Sequence, residues 1–138
     1  MNSDLSFRGR IRLYRNGELA HSQDNLVVSH GKALAIGRLV GNALSVLSHI
    51  AVGNGTDAVN PSNAALSNEL GRAATQPPVM DGNTAMLAVN LPAGVGTGNL
   101  TEVGLFSSST LFARARLTFV VPKSASDLIR IEWSVTAN

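Results

Sequence analysis

Two stretches of strict period-two alternation constrain this chain more than anything else in it. Residues 5 to 14 place Leu5, Phe7, Gly9, Ile11 and Leu13 on one side and Ser6, Arg8, Arg10, Arg12 and Tyr14 on the other. Residues 129 to 136 repeat the pattern, with Ile129, Ile131, Trp133 and Val135 opposed to Arg130, Glu132, Ser134 and Thr136. A strand turns its side chains over at every residue and a helix only every 3.6, so both stretches predict half-buried strands. An apolar sheet face needs a second layer to cover it, which points to a mainly β chain, an antiparallel β-sandwich or a partly open barrel, with one or two short helices.

The rest of the chain fills in that frame as a single domain over residues 1–138. Asn16-Gly17 is the dipeptide of a type I′ turn and predicts a hairpin over residues 5–28. Ser29 can cap a helix over about residues 30–45, with Ile36, Leu39, Val40, Ala43, Leu44 and Leu47 as its apolar stripe. A β-rich remainder covers residues 48–138. Within it SHIAVG, residues 85–91, TEVGLF, LFARARLTFV and LIRIEWSV are strand candidates. Asn60-Pro61 resembles the start of a short helix that Gly71 would end. The expected core includes Phe7, Ile11, Leu39, Val40, Ile50, Leu105, Phe112, Ile131 and Trp133.

Composition bears on function mainly through charge. Only 14% of the residues are charged, against about 25% in typical soluble domains, so part of the surface is expected to be covered by neighbours. A formal charge of +2 does not suit a general nucleic-acid binder, which neutralises many phosphates. Nine of the eleven basic residues are arginine, the side chain suited to bidentate pairing at protein interfaces. Arg8, Arg10 and Arg12 on the first strand, with Arg114 and Arg116 on a later one, are therefore the candidate interface residues, and acidic groups of a neighbouring chain their expected partners. No apolar run follows a basic start, and none reaches about 18 residues, so neither an exported precursor nor a membrane span is expected.

Candidate chemistry is thin. His21, His30 and His49 stand alone, without the spacing that brings two ligands to one metal, and cysteine is absent, so no metal or cofactor is expected. Gly53-Asn54-Gly55 and Gly94-Val95-Gly96-Thr97-Gly98 lack the flanking residues of a nucleotide cradle and predict loops. Serine never occurs in a nucleophile elbow, so neither a hydrolase nor a small-molecule substrate finds support. Glu102 and Glu132 are the strand carboxylates. A glycosidase pair would call for aromatic sugar platforms that a chain with 4% aromatic residues lacks. The expectation is structural: each answers an arginine such as Arg8, Arg10, Arg114 or Arg116, or a backbone N–H.

Read in order, SHIAVGNGTDAVNPSNAALSNELGRA and LTEVGLFSSSTLFARARLTFVVPKSASDLIRIEWSVTAN resemble the small structural proteins of tailed bacteriophages, the tail-fibre, tail-collar and neck-appendage group. The resemblance covers roughly residues 48–138. It runs through an I-A-V-G-x-G-T strand and loop, an A-L-x-x-E-L segment, an E-V-G-L-F strand, an L-F-A-R-A strand and a closing I-x-I-x-W-S-V strand. It implies a non-enzymatic virion protein, assembled in the bacterial host cytoplasm as a symmetric oligomer and contacting itself and other virion proteins. The chain is short for a complete receptor-binding fibre. A collar or neck subunit, a fibre-attachment module, a baseplate or tail appendage, or a capsid decoration fits its length. The alternative of another class is a β-sandwich module binding carbohydrate or the host surface.

Overall fold

The computed structural model describes residues 6–42 and 45–138. Leu5, Ala43 and Leu44, expected on the first strand and on the helix, lie outside the described residues. The described residues form nine strands and one helix: β1 (Phe7–Arg15), β2 (Glu18–Val27), α1 (Ser29–Leu39), β3 (His49–Gly53), β4 (Glu69–Ala74), β5 (Val79–Asp81), β6 (Thr84–Leu91), β7 (Gly98–Ser107), β8 (Thr110–Lys123) and β9 (Ile129–Ala137). The strands join in one antiparallel sheet of order β4-β3-β7-β8-β2-β1-β9-β6-β5, curled into a half-open barrel. The fold is mainly β, as the alternation requires.

β2 is the hinge of the curl. It pairs with β1 along most of its length but with β8 only at Leu26–Arg114 and Val27–Ala113. Beyond that point a side chain takes over the ladder. The Gln23 amide donates from Nε2 to the Arg116 carbonyl (2.8 Å) and accepts the Thr118 N–H on Oε1 (2.9 Å), as a strand backbone would. Two half-sheets result: β5-β6-β9-β1-β2 and β2-β8-β7-β3-β4. At the far side the Gln76 N–H bonds to the Ala88 carbonyl (2.8 Å), tying the chain after β4 to β6.

The core lies between the half-sheets. Ile11 and Leu13, Ile131 and Trp133, and Val89 and Leu91 face Ile50 and Val52, Val103 and Leu105 across it. Trp133 donates its indole N–H to Asn25 Oδ1 (3.1 Å). Asn25 reaches it by crossing β1 at Gly9, where a Cβ would stand 1.7 Å from that oxygen. The glycine in the alternating run is thus the gap through which Asn25 reaches the buried Trp133 indole.

The hairpin stands where its turn dipeptide places it, with Asn16 at φ 51° and Gly17 at φ 85°, the two left-handed positions of a type I′ turn. The helix departs from expectation. It ends at Leu39, not near residue 45, and Ser29 is its first residue, following an extended Val28, and gives no side-chain cap. Leu39 and Val40, expected in the core, are 73% and 71% exposed, and Ile36 is 56% exposed. The reason is close approach. α1 meets β8 through its narrow side, where Gly31, Leu34 and Gly37 are buried, and a Cβ on Gly31 would lie 2.2 Å from the Phe112 carbonyl oxygen. With glycine against the sheet, the apolar stripe turns outward. Phe7 is half-buried and packs against the core edge-on to Phe112. No helix follows Asn60-Pro61. The Asn60 side chain instead accepts the Ser62 N–H (2.9 Å) in a turn, and Gly71 lies inside β4.

Candidate functional site

The two half-sheets differ on their outer faces. That of β8-β7-β3 is roofed by the segment 54–68 and by α1, over a small second apolar cluster of Val28, Ala51, Leu66, Phe106 and Leu111. Under this roof sits Glu102. Along β7 the alternation sends Val103 and Leu105 inward and leaves Glu102, Gly104 and Phe106 on the outer side, where a carboxylate would ordinarily meet water. Instead Glu102 is fully buried.

Five donors converge on it. Its Oε2 accepts the backbone N–H groups of Gly55 (2.7 Å) and Asn68 (2.8 Å). Its Oε1 accepts the Ser67 N–H (2.8 Å) and the Arg114 Nε–H (3.1 Å) and Nη2–H (3.0 Å). Arg114, also fully buried, spends its remaining donors on the roof: Nη1 on the Ala58 carbonyl (3.3 Å) and Asn63 Oδ1 (3.2 Å), Nη2 on the Asp57 carbonyl (3.0 Å) and Ser67 Oγ (3.0 Å). The glycines of Gly53-Asn54-Gly55 make the approach possible. A Cβ on Gly55 would sit 2.3 Å from Glu102 Oε2, and one on Gly53 would sit 2.7 Å from it. The loop does cradle an anion, and that anion is the chain's own carboxylate.

This arrangement settles what Glu102 can do. A general acid or base needs a position open to a substrate or water, and here the carboxylate oxygens are taken by five donors from the protein. The mutual attraction of Glu102 and Arg114 and the saturating hydrogen bonds offset the cost of taking both charges out of water, which an unpaired charge would carry uncompensated. Glu102 therefore pins the roof to the sheet, the structural expectation for this residue, and Arg114 with the backbone N–H groups are its partners. The companion expectation for Arg114 is overturned. A guanidinium with no exposed surface and its donors turned inward cannot reach a neighbouring chain. Arg116, directly opposite Glu102 in register, is the exposed one of the two.

Arg8, Arg10 and Arg12 lie on the exposed outer face of β1, as the alternation requires. Arg10 meets Asp24 across the strand pair (3.1 Å). Among the described residues Arg8, Arg12 and Arg116 have no ion-pair partner. Glu132, on the same face, accepts from Arg130 Nε (3.1 Å) and from the Tyr14 hydroxyl (3.4 Å).

The histidines are apart. His21 lies in the β2–β8 seam against Gln23 and Thr118, His49 Nδ1 meets Ser48 Oγ (2.8 Å), and His30 is exposed on α1. Among the described residues no group of three or more histidines or carboxylates comes close enough to hold a metal. Sequence reasoning passed over one further carboxylate. Asp127, beside β9, accepts Asn16 Nδ2–H (3.0 Å), the Ser124 N–H (2.7 Å) and Arg15 Nη2–H (3.0 Å). These bonds, the one from Asn16 foremost, hold its carboxyl well below the usual carboxylate range. It latches the β1–β2 turn to the β8–β9 connection. The signal was faint: an acidic residue in the loop S-A-S-D, three positions after a serine.

Compared with family models, with curated proteins and with solved structures, the chain matches none.

Proposed function

We propose that this chain is a non-enzymatic structural subunit of a tailed-bacteriophage particle, of the collar or neck, fibre-attachment or baseplate and tail-appendage kind, that works as a symmetric oligomer in contact with other virion proteins. The observation that carries the assembly reading is the outward stripe of α1. Ile36, Leu39 and Val40, spaced i, i+3 and i+4, stand exposed at the end of the helix, Val46 is exposed as well, and large apolar side chains grouped on a surface mark an interaction site.

The phage part rests on the motif order, and the geometry supplies a physical reason for that order. Gly55 from the I-A-V-G-N-G segment, Ser67 and Asn68 from A-L-S-N-E-L, Glu102 from E-V-G-L-F and Arg114 from L-F-A-R-A all meet in one hydrogen-bonded cluster. Motifs far apart in sequence are one structural unit, so their joint occurrence carries more weight than any of them alone. Saturation of Glu102 also removes the strand carboxylate that an enzymatic reading would need most.

Sedimentation of the parent over a range of concentrations, beside Ile36→Glu/Leu39→Glu, tests the assembly reading. Both positions are exposed, so the variant is expected to fold with an unchanged melting temperature and to shift toward monomer, while the parent sediments as a closed oligomer. Proteomic detection of the chain in purified particles tests its place in the virion. A parent that stays monomeric at high concentration and is missing from particles overturns the proposal.

A further inference from the structure

Among the described residues no segment roofs the outer face of β6-β9-β1-β2, and a group of donors lies at the end where β1 begins. Register sets Arg8 beside Thr136 and Arg10 beside Ser134, so two guanidiniums and two hydroxyls share one side of one strand pair. They line, with Asn138, a hollow of about 180 Å³. That is below the roughly 300–1,000 Å³ of small-molecule pockets, so a whole small-molecule ligand does not suit it.

The donors there are largely uncommitted. Arg8 has no ion-pair partner among the described residues, and Arg10 gives one guanidinium nitrogen to the exposed Asp24 (3.1 Å). The Thr136 hydroxyl is shared with that of Thr84 (2.8 Å). Among the described residues the carboxylates of this face have partners, Asp24 in Arg10 and Glu132 in Arg130 and Tyr14, and neither lines the hollow.

We infer that the hollow between Arg8, Arg10, Ser134 and Thr136 is a docking site for a carboxylate side chain on an acidic segment of a partner protein. Charge complementarity selects the occupant. A planar carboxylate matches the donor fork of a guanidinium, and hydroxyls beside it fix its orientation. A nucleic-acid backbone presents a row of phosphates, whereas the two arginines here offer a place for a single anion. The inference rests on the assembly reading and adds to it the chemistry of one partner.

Titration of the full chain with an acetylated hexaglutamate peptide, followed by amide chemical shifts, is the test, with inorganic phosphate and a thymidine hexanucleotide at equal ionic strength as the other arms. The expected result is saturable shifts centred on Arg8, Arg10, Ser134 and Thr136. Arg8→Gln/Arg10→Gln should weaken the peptide at least about tenfold, and Arg116→Gln, on the other half-sheet, should leave it unchanged. These glutamines remove the charge and keep a polar side chain on an exposed face, and an unchanged amide spectrum elsewhere verifies the fold. Shifts that spread over Arg12 and Arg116 without saturating overturn the inference, as does equal binding by the double variant, or phosphate or the hexanucleotide binding as tightly as the peptide. Sedimentation of the parent judges the assembly reading separately, so failure of the hollow alone leaves that reading standing.

Discussion

Glu102 and Glu132 begin alike and finish differently. Each sits in a short apolar alternation, T-E-V-G-L-F and I-R-I-E-W-S-V, each takes the outer face of its strand, and each finds an arginine at about the same distance, 3.0 and 3.1 Å. Yet the side chains of Glu102 and Arg114 have no exposed surface, while that of Glu132 is 24% exposed and that of Arg130 34%. The strands do not make the difference. The segment 54–68 lies over one half-sheet, and among the described residues nothing comparable lies over the other. A roof converts a surface ion pair into a buried cluster in which each donor and acceptor must be met.

The comparison predicts unequal costs. Glu102→Ala would leave Arg114 buried and unpaired and strip three backbone N–H groups of their acceptor, so chemical denaturation should register a loss of about 3–5 kcal/mol. A loss no larger than that of a surface pair would mean that the roof stands without its pin.

Asp127→Asn should have an intermediate effect with a distinct pH signature. The folded-state carboxyl titrates below its unfolded value of about 3.9, so its contribution is complete above that value and is lost as pH falls through the depressed one. The melting-temperature gap between parent and variant should therefore be full at pH 7 and close progressively in acid below about pH 4. A gap that stays constant with pH would assign the latch to hydrogen bonding without charge.

Glu132→Ala should cost at most about 1 kcal/mol, less in high salt, because a partly exposed pair gains little over hydration. A loss approaching that of Glu102→Ala would erase the distinction between the half-sheets.

Much of the frame was legible because period two is a local property. β1, β9, the Asn16-Gly17 hairpin and the inward placement of Ile11, Ile131 and Trp133 follow from side-chain alternation and turn chemistry. What escaped depends on long-range contact. β4, E-L-G-R-A-A, has little strand propensity of its own and is a strand because β3 offers it an edge. The exposed stripe of α1 reads as buried until the carbonyl of Phe112 is placed against Gly31, after which only glycine fits that side. Nothing in F-A-R-A-R distinguishes Arg114 from Arg116 except the roof that descends on the first. The structural role of Glu102 was legible, and its set of partners was not, because three of them are backbone groups of a loop without periodicity. The glycines flanking Asn54 were the available hint, since paired glycines permit close backbone approach.

Hydrogen exchange at the amides of Gly55, Ser67 and Asn68, compared between the parent and Glu102→Gln, tests the central claim that one buried carboxylate holds the roof. In the parent these amides should be protected nearly as well as those of β7. In the variant they should exchange far faster, while β1 and β9 keep their protection. Fast exchange at all three in the parent, or protection unchanged by the substitution, would contradict the account.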